Sequence, residues 1–237
     1  KGDFETAEKR SQLIQEAVIE GINESVRIFL ASKVDQYVVN KNVEGVVNDL
    51  GAGVPSRFTP MNVKTDDEEL TIGVKQIYQG AWNPIMGLTD TYSRHIWGII
   101  SDPITFKHPF TGETFPVRAQ WEVETSGLNE KIKVPIESKI WDPVLQEWSN
   151  VPIDTLATSK VTFDFQFSNW HNGEPMDMND ILHSLYFTME WGIQTDEKDK
   201  TFDTEFTPRA AQSIQTIIAI NQLDKDTVEV YVNYWHF

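Results

Sequence analysis

The chain has 237 residues, 40% of them hydrophobic, with 36 acidic residues against 20 basic ones and a formal charge of −16. That is enough apolar material for one substantial core in one or two domains and excludes a disordered chain, while the charge and the lack of any basic run exclude nucleic acid as a partner. The absence of cysteine excludes disulfides, thiolate metal sites and cysteine nucleophiles, and leaves the compartment open. No window approaches the ~18 uninterrupted apolar residues of a membrane span. The first residues, with Asp3, Glu5, Glu8, Lys9 and Arg10 among them, are unlike a signal peptide. The sequence opens on Lys1 and stops in the β-rich run "VEVYVNYWHF", so the expectation is a part of a longer polypeptide.

In chain order, residues 7–22 place Leu13, Ile14, Ala17, Val18 and Ile22 on one face at helical spacing, with Thr6 as the cap. Val26, Ile28 and Leu30 then alternate with polar or larger neighbours, and a second β-rich run follows at 37–39, which predicts a helix–strand unit over 1–50. Asn23-Glu24-Ser25 matches a glycosylation sequon, a pattern short enough to be common by chance. The Gly- and Pro-rich "GAGVPSRFTP", 51–60, reads as a linker to the remainder, 61–237. Asp66-Asp67-Glu68-Glu69 reads as a solvated turn, since calcium would need alternating oxygen ligands and a glycine at the bend. Residues 69–78 predict a strand, 80–90 a loop, and 91–103 a helix that ends at Asp102-Pro103. Strands are expected over 115–123, 134–141, 147–153 and 160–167, with a hairpin turn at Asp142-Pro143. Trp97 and Trp121 are expected in the core, and Trp141 and Trp148 are expected to pack across that hairpin rather than stack on a ligand.

The most informative stretch is "KVTFDFQFSNWHNGEPMDMNDILHSLYFTMEW". Val161, Phe163, Phe165 and Phe167 alternate, the chain turns at Asn172-Gly173, and Pro175 precedes a helix capped by Asp177 with Asp180 at its third position. Ile181, Leu182, Leu185, Tyr186 and Met189 form its apolar stripe. The acids therefore have a local structural job. His171 with Asp177, Asp180 or His183 matches no compact metal-ligand spacing, and no nucleophile elbow, triad order or phosphate loop appears anywhere. No catalytic residue, metal or cofactor is expected.

This stretch resembles the signature of the family 5 extracellular solute-binding proteins, the oligopeptide- and dipeptide-binding receptors of ABC importers. Trp170-His171-Asn172-Gly173-Glu174-Pro175 supplies the turn, with Asn172 for the family's usual Asp and Asp177 where a Thr usually caps. "LTIGVKQIYQGAWNPIMGLTD" resembles the family's first strand and Asn-Pro loop, "VRAQWEVE" its Ala-Glu-Ser-Trp-Glu segment, and residues 217–232 the strand pair after the signature helix. The unit at 1–50 is similar to one found near the C-terminus of such receptors, which implies a permuted or tandem parent unless it is a generic helix–strand pair.

The resemblance implies an α/β fold: one incomplete lobe of a type II periplasmic-binding-protein-like clamshell, a mixed sheet with flanking helices and an added β-hairpin region. It implies an extracellular, cell-surface or periplasmic receptor, secreted or tethered in its full-length form, that holds a peptide or other small solute between two lobes without catalysis and delivers it to an ABC permease. It puts the loop after the first strand at the cleft, with Trp82, Asn83, Thr89, Asp90, Thr91 and Tyr92 as ligand-binding residues. Their chemistry suits a peptide: amides and hydroxyls for backbone, aromatics for side chains, Asp90 for an ammonium. The plain alternative is that Asn83-Pro84 makes a structural turn and Trp82 packs on the core. Two other classes remain open, an extracellular structural, adhesive or filament-forming protein built on the same fold, and a peptide hydrolase. Ligand identity and oligomeric state are open at this stage.

Overall fold

The computed structural model describes residues 6–25, 30–31, 33–74, 82–126 and 130–234. The chain separates into two compact units, Lys1–Val39 with His236–Phe237, and Asn40–Trp235.

The first unit contains α1, Ala7–Asn23, begun as expected by Thr6, whose hydroxyl accepts from the Lys9 amide at 3.1 Å. Its apolar stripe is left open, with Ile14, Val18 and Ile22 all exposed. Of the strand expected after it, residues 26–29 lie outside the described residues, and the run at 37–39 forms no strand. β-branched composition favours a ladder only where a second strand faces it.

The second unit begins with a folded segment where the sequence reads as a linker. Asp49 Oδ1 accepts from the amides of Gly51 and Ala52, and the Thr59 hydroxyl ties Val47 to Val54 as α2, Phe58–Asn62, begins. Gly45 sits at φ +82°, and a side chain there would meet Asn62 O at 2.6 Å, so glycine is what lets this turn close on α2. The turn at Asp66-Asp67 forms, but residues 69–74 make no strand, and 75–81 lie outside the described residues.

The chain then runs through the hairpin β1, Trp82–Asn83, and β2, Gly87–Leu88, into α3, Thr91–Ile100. β3, Thr105–Lys107, pairs with β4, Thr114–Pro116. The strand expected over 115–123 is two: the amides of Val117 and Arg118 both bond to Ile104 O, which turns the chain between β4 and β5, Ala119–Thr125. Short β6, Ile132–Lys133, precedes a turn at Ile136-Glu137, so the strand expected from 134 begins only with β7, Lys139–Asp142. β8, Glu147–Asn150, pairs back on it around Asp142-Pro143 as expected, Trp141 opposite Trp148. β9, Leu156–Ala157, joins β6, and β10, Ser159–Phe165, leads into the Trp170 corner. Then come α4, Met178–Gly192, α5, Thr207–Thr216, and the strand pair β11, Ile217–Gln222, and β12, Thr227–Val232.

Six strands form one sheet in the order β5-β10-β12-β11-β7-β8. Every pairing is antiparallel, where the sequence reading expects a mixed sheet. One face carries the core: Ala119, Phe165, Ile220 and Val228 meet Met178, with Ile181, Leu182 and Leu185 of α4 packed alongside. On the opposite face Val134, Val151, Ala157, Ala219 and Tyr231 form a second cluster under β6 and β9. α4 and α5 pack closely at Gly192, where a Cβ would lie 2.5 Å from Ile214 Cδ1. Trp121 is half-buried opposite Phe163, but Trp97 is 57% exposed and is not a core residue. Its helix, α3, has no buried residue, because nothing among the described residues covers the face that carries Ile96, Ile99 and Ile100.

Candidate functional site

The loop at 82–92 is built from local hydrogen bonds. Asn83 Oδ1 accepts from the amides of Ile85 and Met86, which makes Asn83-Pro84 a side-chain-stapled turn, and Gly87 at φ +66° returns the chain so that Trp82 faces Leu88. Arg209 of α5 donates to Met86 O at 3.1 Å and anchors the hairpin to the helical layer. The Asn83 side-chain oxygen is thus committed to the turn. Trp82 is 59% exposed and does not pack on the core.

Asp90 is the N-cap of α3, Oδ1 accepting from the Ser93 amide at 2.9 Å. That amide holds its carboxyl below the usual aspartate range, so the group is ionised at neutral pH. Its other oxygen, Oδ2, is shielded from solvent and has no hydrogen-bond partner among the described residues. The Ser93 hydroxyl and the Asp90 and Tyr92 amides lie close enough to favour the ionised form as well. Thr89 and Thr91 flank it on the exposed side, and Tyr92 is half-buried one residue into the helix. The loop therefore collects Trp82, Thr89, Asp90, Thr91 and Tyr92 within one hairpin-to-helix passage, with one anionic acceptor among them.

The Trp170 corner folds as the sequence predicts. The Gly173 amide donates to Trp170 O at 2.8 Å with φ +90°, Trp170 N donates to Glu174 O, and Asn169 bridges Pro175. Asp177 and Asp180 form a reciprocal capping box at the start of α4. His171 is exposed, and no group of three metal-ligating side chains converges anywhere among the described residues.

Two polar clusters escape the sequence reading. Glu190, 2% exposed, accepts from Trp141 Nε1 at 2.6 Å, Gln146 Nε2 at 3.1 Å and Thr201 Oγ1 at 2.9 Å, joining the β7–β8 hairpin to α4 and the loop beyond it. A signal existed: Leu182, Tyr186 and Glu190 are spaced by four on one helical ridge, so the acid follows the apolar stripe into the interior. On the sheet's other face Lys160 lies 3.1 Å from both Glu124 and Glu229, and Glu229 also accepts from Tyr231 and Asn221. Burial pushes the Glu229 carboxyl up, but the bonds from Tyr231, Lys160 and Asn221 outweigh it and hold the group below its usual value. Burial, then Glu229, pushes the Tyr231 hydroxyl well above the usual tyrosine value. Both clusters are satisfied within themselves and have the character of struts. A shallow depression of about 390 Å³ lies beside α2, lined by Pro60, Val63, Lys64, Glu68 and Leu70 among others, and includes none of the 82–92 residues.

No protein-family model matches the chain, and comparison with curated proteins finds no match. Among the described residues no helix is long and apolar enough to cross a membrane.

Proposed function

We propose that this chain forms part of one lobe of an extracellular solute-binding receptor that serves an ABC importer and holds a peptide between two lobes without transforming it. The observation that carries the reading is the passage from β10 through the Trp170–Pro175 corner into α4, followed by the β11–β12 pair. Strand, corner, capped helix and, after α5, a strand pair follow in an order compatible with the resemblance, and the acids of the corner serve as caps. In this reading the 82–92 loop faces the cleft. Trp82 offers an exposed ring, Thr89 and Thr91 stand on the exposed side of the loop, and the Asp90 carboxylate offers negative charge to a peptide's amino terminus. Closure follows because a ligand that contacts both lobes binds the closed state better, and transport is driven by the permease and its ATPase.

The test is a thermal-shift screen of the protein against short peptides and sugars. A peptide should raise Tm saturably and be recovered intact; at 100 times Kd the added stability is about 2.7 kcal/mol. Asp90→Asn keeps a good helix cap but removes the charge, so it should weaken peptides with a free amino terminus about tenfold and leave N-acetylated peptides unchanged. Equal affinity in that variant removes Asp90 from the site, and recovery of cleaved peptide replaces the receptor with a hydrolase.

A further inference from the structure

The six-stranded sheet ends on β5, whose outer side pairs with no strand among the described residues. All seven residues of β5 pair with β10 on one side, from Ala119 opposite Phe165 to Thr125 opposite Ser159, while no strand is bonded to its other side among the described residues. Such an edge presents alternate amides and carbonyls as a template for a further strand, and proteins usually blunt it with proline, lysine, a bulge or a cover. β5, Ala-Gln-Trp-Glu-Val-Glu-Thr, has no proline or lysine and keeps one uninterrupted register.

Its two faces differ in chemistry. Trp121 and Val123 stand opposite Phe163 and Val161 on the side of the sheet that packs α4, and Val123 is left 55% exposed. Glu122 and Glu124 point to the other side. Glu124 shares the Lys160 ammonium with Glu229, and Glu122 stands opposite Thr162, whose other neighbour is again Glu229. One cation among three carboxylates leaves that face of the edge negative.

We propose that β5 is a docking edge for an extended segment of a partner protein that alternates basic and apolar residues and adds to the sheet as a seventh strand. A lysine or arginine then stands opposite Glu122 and Glu124, and an apolar side chain covers Val123 and Trp121. A second copy of the chain does not meet these terms. Paired through β5 with both helical layers on one side, it sets glutamate against glutamate; turned over, it sets each glutamate against Trp121 or Val123. The surface shares no residue with the 82–92 loop, and the proposal holds whether or not that loop binds solute.

The experiment uses the whole chain and a fluorescein-labelled peptide of about nine residues that alternates lysine and valine, read by anisotropy at about 0.1 M salt. The alternating peptide should bind about tenfold more tightly than a peptide of the same composition in two blocks, and than one N-methylated on its valine amides. Glu122→Lys should cut its affinity about tenfold, with Glu147→Lys on the opposite edge strand, β8, as the charge-matched control that leaves it unchanged. Equal binding of the N-methylated or block peptide shows charge attraction without strand addition and overturns the proposal on the wild-type chain alone. So does unaltered binding by Glu122→Lys. A dimer in sedimentation that Glu122→Lys disrupts makes the occupant a second copy, and overturns it as well.

Discussion

Helices α3 and α4 both start from an aspartate cap: Asp90 accepts from the Ser93 amide at 2.9 Å, and Asp177 accepts from the Asn179 amide at 2.8 Å. Both follow a glycine-containing turn, and both carry an apolar stripe at helical spacing. Their surroundings are opposite. α4 buries Met178, Met189, Glu190 and Gly192 against the sheet and α5, whereas α3 buries no residue and leaves Ile96, Trp97, Ile99 and Ile100 about half exposed. A cap is decided by atoms within three residues of it, and it sets where a helix begins. Whether the stripe is covered depends on elements distant in sequence. The caps differ as well: Asp90 Oδ2 has no hydrogen-bond partner among the described residues, while α4 has its capping box complete.

The largest expected effect tests the burial half of that contrast. Met178→Ala removes a side chain packed between Phe165, Ile220 and Val228 and should lower unfolding stability by about 2–5 kcal/mol. Ile99→Ala in α3 should stay within about 0.5 kcal/mol. Urea melts of the two variants measure both, and equal losses would mean that α3 is covered in solution. The caps give a smaller and sharper difference. Asp177→Ala breaks the capping box and should cost about 1 kcal/mol of global stability. Asp90→Ala should speed amide hydrogen exchange along α3 with little change in the urea midpoint, because an uncovered helix frays locally; a matching drop in midpoint would contradict this.

The smallest effect concerns the loop that closes behind α4. The Thr195 amide, then its hydroxyl, and the Thr201 amide hold the Asp199 carboxyl at about 2, below the ordinary 3.8. Because the folded value is depressed, the stabilisation is fully present above pH 3.8 and is lost as pH falls through about 2. A carbon-detected NMR titration of Asp199 should show that low midpoint, and Thr195→Val should move it upward by removing the hydroxyl while keeping the amide. No movement would assign the depression to the backbone amides and the Thr201 hydroxyl.

Residues 37–39 and 69–74 show why the reading fails where it does. Both runs have strand composition and neither forms a strand, since a ladder needs a second chain segment at about 4.8 Å and composition says nothing of where that segment lies. The same limit applies at 51–60, where glycine and proline indicate bends but not that Asp49 and Thr59 would gather those bends into a folded unit. In the 82–92 loop the sequence alone leaves Asn83 as ligand contact or staple, and the amides of Ile85 and Met86 show that its side-chain oxygen staples the turn.

What the amino-acid order determined by itself is local: the Thr6, Asp90 and Asp177 starts, the β10 alternation, the Trp141–Trp148 hairpin and the Gly173 corner all depend on contacts within a few residues or across one short turn. Only the tertiary structure decided that the sheet is antiparallel throughout, that α4 buries residues and α3 buries none, that Glu190 is held inside by Trp141, Gln146 and Thr201, and that β5 is the end strand of the sheet among the described residues. The reason is range. A capping bond or a tight turn is closed by neighbours in the chain, whereas burial and strand order are set by which distant surfaces compete for the same apolar face, and no single segment contains that information.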